Sequence, residues 1–316
     1  MIAAVFGAIA LLLAGPVPAL LARADWSLRA PRAAMTLWQS ISIAAVLSAF
    51  SCGLAIASHL LVIGPDGRPT TSPFRQADRL GWPIWTVCFG VFFLTLLIGA
   101  RLIFASIRVG VRTRARRALH RDLVDLLDHI DRRSGDGTLR ARDVRMLDVR
   151  EPIAYCLPGI RRRVVLSAGI VDRLNRDELT AVITHERAHL RARHDLILEA
   201  FIAVHEAFPR VIRSRSALDQ VRLLVEILAD DHAVRASSRR TVGRALVNCA
   251  DAVAPQGAMG VGGPSTLTRV QRLSDNRSAH TAGACAYVCA VLILVVPTLA
   301  VAIPWLTELS RLAGSL

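Results

Sequence analysis

Two histidines and a glutamate on one predicted helix could bind and use a metal ion. Between Asn175 and Asp195 the sequence reads NRDELTAVITHERAHLRARHD, and His185 and His189 stand four residues apart. Residues at that spacing project from one side of a helix, one turn apart. Because Glu186 follows directly, this is the HExxH pattern. In it, two imidazoles bind Zn²⁺ and the carboxylate takes a proton from the activated water.

The surrounding residues predict an amphipathic helix. Asn175 can cap its first turn, and Glu178, three residues later, completes a capping-box pattern. Apolar residues then recur at helical spacing and mark a buried side; they are Leu179, Val182, Ile183 and Leu190. A solvated helix that carries His and Glu by chance is the competing interpretation, and it does not explain why the motif lies against an apolar stripe.

Catalytic zinc usually has three protein ligands, so one ligand is missing from this helix. The longer pattern HExxHxxGxxH is absent, because Ala192 and Asp195 occupy its last two positions. His194 lies nine residues beyond His185. In a continuous helix it would point to the opposite side, and we therefore expect it not to be a ligand.

A second predicted helix, residues 216–236, offers the missing carboxylate. Its acids Glu226 and Asp230 follow Arg222 at four-residue intervals on one side of the helix. Glu226 could complete the zinc shell, and Asp230 could accept the free ring N–H of a ligand histidine. The three residues could equally form surface ion pairs, and spacing alone leaves both interpretations open. Arg235 and His232 on this helix are candidate donors to the oxyanion of a reaction intermediate.

The composition indicates a membrane protein. The chain has 316 residues, 53% of them hydrophobic, and a mean hydropathy of +0.42. Its net charge is +14, and all 39 cationic residues are Arg. Such a charge could serve nucleic acid binding, but the basic stretches lack the interleaved aromatic residues of a stacking surface. We therefore expect a lipid bilayer as partner and no direct binding to nucleic acid.

Four apolar stretches are long enough to cross a bilayer core of about 30 Å. The first could instead be a signal peptide, but no basic residue precedes it, so we expect it to be retained. The predicted spans cover about 2–22, 36–63, 82–100 and 283–305. The predicted domains are residues 1–107 with three spans, 108–281 as the metallopeptidase domain, and 282–316 with the fourth span and a short tail.

The distribution of arginine predicts the orientation in the membrane. The 23–34 link and the segment 108–280 lie on the same side of four spans, and together they hold 34 of the 39 Arg residues. By the positive-inside rule this side is the cytoplasm, which puts both termini outside the bacterial inner membrane. None of the six cysteines forms a CxxC motif, which also fits a cytoplasmic domain.

The expected fold is a mainly α membrane protein with four transmembrane helices. A cytoplasmic α+β metallopeptidase domain is inserted between helices three and four. In it we expect an Arg-rich helix at 111–131, short strands at Val144–Val149 and Arg163–Ser167, an edge segment in EPIAYCLPG, and an apolar helix at 196–209 that is too short to span.

Several segments together resemble a known group of proteases. HERAH followed by RHD, the upstream AYCLPG and RRVVLSAG, and the downstream VEILADDHAV are similar to the BlaR/MecR integral-membrane zinc metallopeptidases. They are more distantly similar to HtpX and the CAAX prenyl proteases. The resemblance covers the predicted domain and the four-span layout. It implies a gluzincin fold with a small sheet whose edge strand holds an extended substrate, here Ala154–Cys156 or Val164–Ser167.

The resemblance also implies a role for each candidate residue. It makes His185, His189 and Glu226 the zinc ligands, Glu186 the general base, and Asp230 the partner of a ligand histidine. One departure concerns sensing, because BlaR and MecR carry an extracellular penicillin-binding domain. Outside the predicted spans this sequence has no SxxK-type serine motif. We therefore do not expect covalent β-lactam sensing by this polypeptide.

The function implied by the resemblance is cleavage of a cytoplasmic DNA-binding repressor by a membrane-embedded zinc endopeptidase, in a BlaR/MecR-like signalling pathway. A quality-control protease of membrane proteins, like HtpX, is a second hypothesis. A non-enzymatic signalling scaffold with a structural metal site is a third, and it is disfavoured because structural zinc normally has four protein ligands.

Overall fold

Four helices in the computed structural model are long and apolar enough to cross a membrane, which suggests a membrane protein. The first covers α1 (Ile2–Ala14) and α2 (Pro16–Leu21), which are interrupted at Gly15. The others are α4 (Pro31–Ala57), α5 (Trp82–Leu126) and α12 (His280–Ala313). The structure describes residues 2–60, 62–63, 69–70, 80–127, 143–159, 161–208, 214–250, 259–260, 265–275, 277 and 279–313.

The second span differs from its predicted bounds of 36–63. The helix α4 begins at Pro31, after a short helix α3 (Trp26–Arg29), because proline is favourable in the first turn, where no N–H donor is needed. It ends at Ala57, followed by a 3₁₀ turn at Ser58–Leu60. The apolar residues beyond that turn form strand β1 (Val62–Ile63), which pairs with β2 (Pro69–Thr70).

The third span and the predicted Arg-rich helix at 111–131 form one continuous helix, α5. The prediction of two elements was wrong, because a change of composition at Arg101 is not a backbone break. No proline interrupts α5 after its first turn, and the Arg101 guanidinium donates to the backbone carbonyl of Ala207. Residues 128–131 of the predicted helix lie outside the described part of the chain.

A small sheet stands beside the HExxH segment, in the strand order β3-β5-β4-β6. Its strands are β3 (Val144–Leu147), β4 (Ala154–Leu157), β5 (Arg163–Ser167) and β6 (Met259–Gly260). β3 is parallel to β5, whereas β4 is antiparallel to both of its neighbours, β5 and β6.

The expectation of a free substrate edge needs correction in both of its forms. β5 is flanked by β3 and β4, so Val164–Ser167 is central. β4 is paired on its outer side at Tyr155 and Cys156 by β6. The two residues of β6 carry no periodicity by which the sequence could reveal a strand.

Six more described helices lie between β5 and α12 and surround one buried face. They are α6 (Ala168–Arg173), α7 (Arg176–Ala192), α8 (His194–Ala207), α9 (Ser214–Ala236), α10 (Arg239–Asn248) and α11 (Thr266–Ser274). The core cluster joins Ile183 of α7 and Leu224 of α9 to Leu166 of the sheet, and it continues into α4 through Trp38 and Ile41. The membrane helices and this segment therefore share one hydrophobic core.

Candidate metal centre

The helix α7 is fixed in place by its cap and by its apolar side. The Asn175 side chain accepts a hydrogen bond from the Glu178 backbone N–H, and the Glu178 carboxylate accepts one from the Asn175 N–H. Leu179, Val182 and Ile183 are buried in the core. Since the motif histidines follow within the next two turns, the packing of α7 sets their direction.

The structure brings His185, His189 and Glu226 together at the contact between α7 and α9. The two Nε2 atoms are 3.1 Å apart. Glu226 Oε2 lies 3.4 Å from His185 Nε2, and Glu226 Oε1 lies 3.6 Å from His189 Nε2. These three residues form a group that could hold a metal ion.

Their separation fits a zinc ion. Ligand atoms at about 2.0–2.1 Å from a tetrahedral zinc are about 3.3 Å from one another. The three pairs of atoms measured here, at 3.1 to 3.6 Å, match that value. Two neutral imidazoles and one carboxylate are also the donor types that zinc prefers, and they leave a fourth position open.

The ring of each histidine in the trio is oriented by a contact to its second nitrogen, Nδ1. Asp230 Oδ1 lies 3.0 Å from His185 Nδ1, where it accepts the ring N–H. His194 Nδ1 lies 3.1 Å from His189 Nδ1. On the tautomers that leave both Nε2 atoms free to bind a metal, Asp230 and His194 therefore orient the two rings.

The expectation that His194 points away from the site was wrong, because the helix is not continuous there. α7 ends at Ala192, and Arg193 adopts a left-handed conformation with φ of 52°. The chain then starts α8 in a new direction and returns the His194 ring to His189. Burial lowers the pKa of His194 to about 4, which keeps its ring neutral and able to accept a hydrogen bond.

Glu186 lies beside the trio as a fully buried carboxylate. Neither of its oxygens has a regular hydrogen-bond partner among the described residues, and the thiol of Cys156, a weak donor, lies against it. Burial raises the pKa of Glu186 to about 8. An unpartnered acid with a pKa near neutrality is well suited to exchanging protons with a bound water.

Arg269 of α11 links the two acids of α9. It donates from Nε and Nη2 to the two oxygens of Asp230, at 2.7 and 2.6 Å, and its Nη1 lies 3.1 Å from Glu226 Oε2. The residue is only 1% exposed. Its positive charge compensates the buried carboxylate of Asp230 and the partly exposed one of Glu226, and it fixes their direction toward the histidines.

The sequence interpretation missed Arg269. The residue belongs to a short helix far from the motif along the chain, and the segment 108–280 contains 31 Arg residues, so nothing distinguished this one. A pairing pattern was the signal that could have found it. The consecutive acids Asp230 and Asp231 bind Arg269 and Arg272, respectively, and these two arginines stand one turn apart on α11.

The site is electrostatically polarised. Burial would lower the pKa of His185, but its hydrogen bonds with Asp230 and Glu226 outweigh burial and raise it to about 9. Burial lowers the pKa of His189 to about 3. For Glu226, burial opposes ionisation, yet the charges of His189 and Arg269 bring its pKa down to about 2. At neutral pH a negative carboxylate thus faces a protonated His185 and a neutral His189, and a metal ion would replace the proton on His185.

The remaining candidate residues lie on the outer side of α9. His232 Nδ1 is 3.1 Å from Arg235 Nη2, and His232 Nε2 is 3.2 Å from Arg191 Nη1. Among the described residues, the His232 ring thus contacts Arg191 and Arg235, and it lies outside the metal trio. Glu226, whose side chain is 17% exposed, opens the trio to the surface, whereas both histidines are buried.

Comparison with known proteins agrees with this chemistry. Residues 130–277 match the model of Peptidase family M48, and the matched segment contains the HExxH motif, Glu226 and Arg269. The chain matches no curated protein and no solved structure. Residues 130–277 are thus similar to metallopeptidases whose typical metal is zinc, and the four apolar helices suggest a membrane protein.

Proposed function

We propose that this protein is a membrane-embedded zinc endopeptidase. The observation that supports it most is the meeting of His185 Nε2, His189 Nε2 and the two Glu226 carboxylate oxygens, at separations that suit the ligands of a tetrahedral zinc. His185, His189 and Glu226 hold the metal, and Asp230 and His194 orient the two imidazoles. When bound, the zinc polarises a scissile carbonyl and makes water more acidic.

Glu186 is the general base in this proposal. Its carboxylate takes a proton from the attacking water and then gives it to the leaving amine of the cleaved peptide bond. Burial suits it to both steps, since a pKa raised to about 8 lets the group hold the proton between them. Arg269 keeps Glu226 and Asp230 ionised and in position during the cycle.

An extended substrate would reach Glu186 along β4. The Cys156 thiol of this strand touches Glu186, so a peptide paired with β4 would have its backbone beside the base. β6 occupies the outer side of β4 at Tyr155 and Cys156. A substrate that adds to this edge therefore has to displace β6.

The resemblance to BlaR/MecR supplies the substrate class that we propose, a cytoplasmic DNA-binding repressor whose cleavage switches transcription. In this proposal residues 1–107 anchor the protein in the bacterial inner membrane. Residues 108–281 form the cytoplasmic catalytic domain, and 282–316 return to the outside, as the arginine distribution predicts.

Substitution of Glu186 by Gln tests the enzymatic proposal. We expect Glu186→Gln to keep its zinc and to lose peptide cleavage, because the amide cannot accept the proton. Glu151→Gln, which changes an exposed acid outside the site, is the control and should retain activity. Zinc content by metal analysis and cleavage of a peptide library measure the two properties. Full cleavage by Glu186→Gln would exclude this base, and a zinc-loaded but inactive wild type would favour the scaffold hypothesis.

The substrate class is tested separately in cells. The peptide inventories of cells with wild-type protein and with Glu186→Gln should differ by fragments of one DNA-binding protein. A second candidate, an HtpX-like quality-control protease, predicts fragments of many membrane proteins instead. The name of the matched family, Peptidase family M48, refers to peptidase activity and not to a signalling role. The match therefore agrees equally well with this second candidate.

A further inference from the structure

A basic cavity of about 450 Å³ lies behind the metal centre, between α5, the segment after β4, and the junction of α7 with α8. Two carboxylates line it, Asp195 and Glu199, and Arg117 Nη1 binds both, at 3.1 and 2.7 Å. Against these two acids the described lining has five guanidinium groups, an excess of three positive charges. They belong to Arg114, Arg117, Arg121, Arg162 and Arg193.

Three of these five arginines have no side-chain hydrogen bond or salt bridge among the described residues. Arg121 donates to the carbonyl of Pro158 at 3.1 Å, and Arg117 holds the two acids. Within the described part of the chain, the side chains of Arg114, Arg162 and Arg193 form neither a salt bridge nor a side-chain hydrogen bond. Several cations that converge on one concave site without acidic partners attract an anion, and guanidinium groups fit phosphate oxygens in particular.

An apolar groove of about 590 Å³ adjoins this cavity. It runs between residues 39–47 of α4 and residues 196–204 of α8, with Ile43, Leu47 and Phe201 among its lining. Leu196 lines both the cavity and the groove, so the two are adjacent. Since α4 is a candidate membrane span, the groove is open to the surroundings of that helix.

The exposed side of α5 places the cavity at the end of an apolar surface. Phe104, Ile107 and Val111 are 63%, 61% and 59% exposed and follow one another at helical spacing. Arg114, which lines the cavity, is the next residue on this stripe. Such a change from apolar to cationic side chains marks the boundary between hydrocarbon and headgroups.

The packing of α4 against α5 also places the cavity's arginines at one end of the membrane span. Gly53 of α4 lies against Thr95 of α5, and Phe50 of α4 against Gly99, so the two helices are antiparallel. At about 1.5 Å of rise per residue in each helix, this register brings Arg114 about level with Ala34, in the first turn of α4. The arginines thus stand where α4 enters the membrane.

We propose that the cavity and the groove together bind one anionic phospholipid. Its phosphate lies among Arg114, Arg162 and Arg193, and an acyl chain lies in the groove beside Leu196. Basic pockets between membrane helices are a recurring form of lipid headgroup site. The site is separate from the metal trio, and its occupation does not depend on the proposed peptidase activity.

Lipid retention by the full-length protein tests this proposal. The detergent-purified chain is mixed with phosphatidylglycerol, phosphatidylcholine, glycerophosphoglycerol or inorganic phosphate, and bound ligand is counted by native mass spectrometry. We expect one phosphatidylglycerol to be retained and phosphatidylcholine to be lost. The free headgroup and inorganic phosphate should displace it only in large excess. Displacement by phosphate at the concentration of the lipid would indicate a soluble anion site and overturn the proposal.

Matched variants locate the site. Arg114→Gln/Arg162→Gln/Arg193→Gln should weaken phosphatidylglycerol retention about tenfold or more, because it removes these three positive charges. The control removes three exposed charges from the same surface region outside the cavity and should keep the lipid. It combines Arg112→Gln, Arg116→Gln and Arg161→Gln. Equal losses in the two triple variants would show a nonspecific charge effect and overturn the proposal.

A change in the groove keeps the proposal testable if the triple variant folds poorly. Ala200 is an exposed residue of α8 that lines the groove, so Ala200→Trp fills it without disturbing the core. We expect this variant to lose phosphatidylglycerol and to keep its helical circular dichroism. Unchanged retention in Ala200→Trp would mean that no acyl chain occupies the groove.

Discussion

Arg269 neutralises the acids on which the metal centre is built. Its guanidinium binds both oxygens of Asp230 and one oxygen of Glu226 from a position that is almost fully buried. Without it, two carboxylates would face each other with only the His185 and His189 rings as partners. Its loss should therefore matter most when no metal is present.

Replacing Arg269 by Met should lower the stability of the metal-free protein by about 3–5 kcal/mol, because it leaves buried charge uncompensated. Zinc then supplies the missing positive charge, so we expect added zinc to raise the thermal unfolding temperature more in Arg269→Met than in the wild type. Thermal unfolding in detergent, with a chelator or with zinc, measures both effects. Arg272→Met, which loses the bond to Asp231 instead, should respond to zinc as the wild type does.

Zinc binding should release protons at neutral pH. His185 has a pKa of about 9 in the metal-free site, so at pH 7.5 it carries a proton that a metal must displace. Apparent zinc affinity should therefore rise by about tenfold per pH unit up to about pH 9. His189, with a pKa of about 3, contributes nothing.

Calorimetry in buffers of different ionisation enthalpy counts these protons. We expect the release of about one proton from His185 and of a further fraction of a proton from Glu186. The Glu186→Gln variant should lose only the Glu186 fraction. Zinc binding with no proton release would contradict the hydrogen bonds assigned between His185 and its two acids.

At the scale of elements, the break between α7 and α8 decides where His194 lies. The sequence gives no sign of this break, since arginine and not glycine occupies the left-handed position. This one-residue turn changes the direction of the chain and brings His194 beside His189.

Substitution at Arg193 should reveal the cost of that turn. Arg193→Val should lower stability by about 1–2 kcal/mol, because a β-branched side chain clashes in the left-handed conformation. Arg193→Gly removes the same charge and adopts this conformation freely, so it should fold at least as stably as the wild type. Thermal unfolding of the two variants provides the comparison. Equal stability of Val and Gly at this position would mean that the junction is not left-handed in the protein.

The sequence predicted the two elements that carry the chemistry because apolar residues recur at helical spacing in both. The periodic apolar residues of α7 and α9 face the same core, but spacing alone left open whether Glu226 meets the two histidines. The predictions that failed concern the extent of one helix and the pairing of one strand. The α5 helix continues through Arg101, whose charge the sequence interpretation took as the end of a span, and the pairing of β6 with β4 leaves no trace in its two residues.

At the scale of the whole molecule, the orientation in the membrane remains a prediction from charge. The 34 Arg residues on one side of the four spans predict a cytoplasmic catalytic segment. Alkaline phosphatase fused after Leu316 should be active, since this reporter works only outside the cytoplasm, whereas a fusion within the 23–34 link should be inactive. The reverse pattern would put the catalytic segment outside the cell.

The shared hydrophobic core has a practical consequence for anyone who wants to work with the peptidase alone. Trp38 and Ile41 of α4 belong to the same buried cluster as Leu218, Val221 and Leu224 of α9, the helix that carries Glu226. A fragment that starts at residue 108 would lack α4, so it would lose one wall of its interior and expose part of this cluster to water. Inhibitor screening and crystallisation should therefore begin with the intact polypeptide in a micelle or nanodisc, and a truncated soluble version should aggregate.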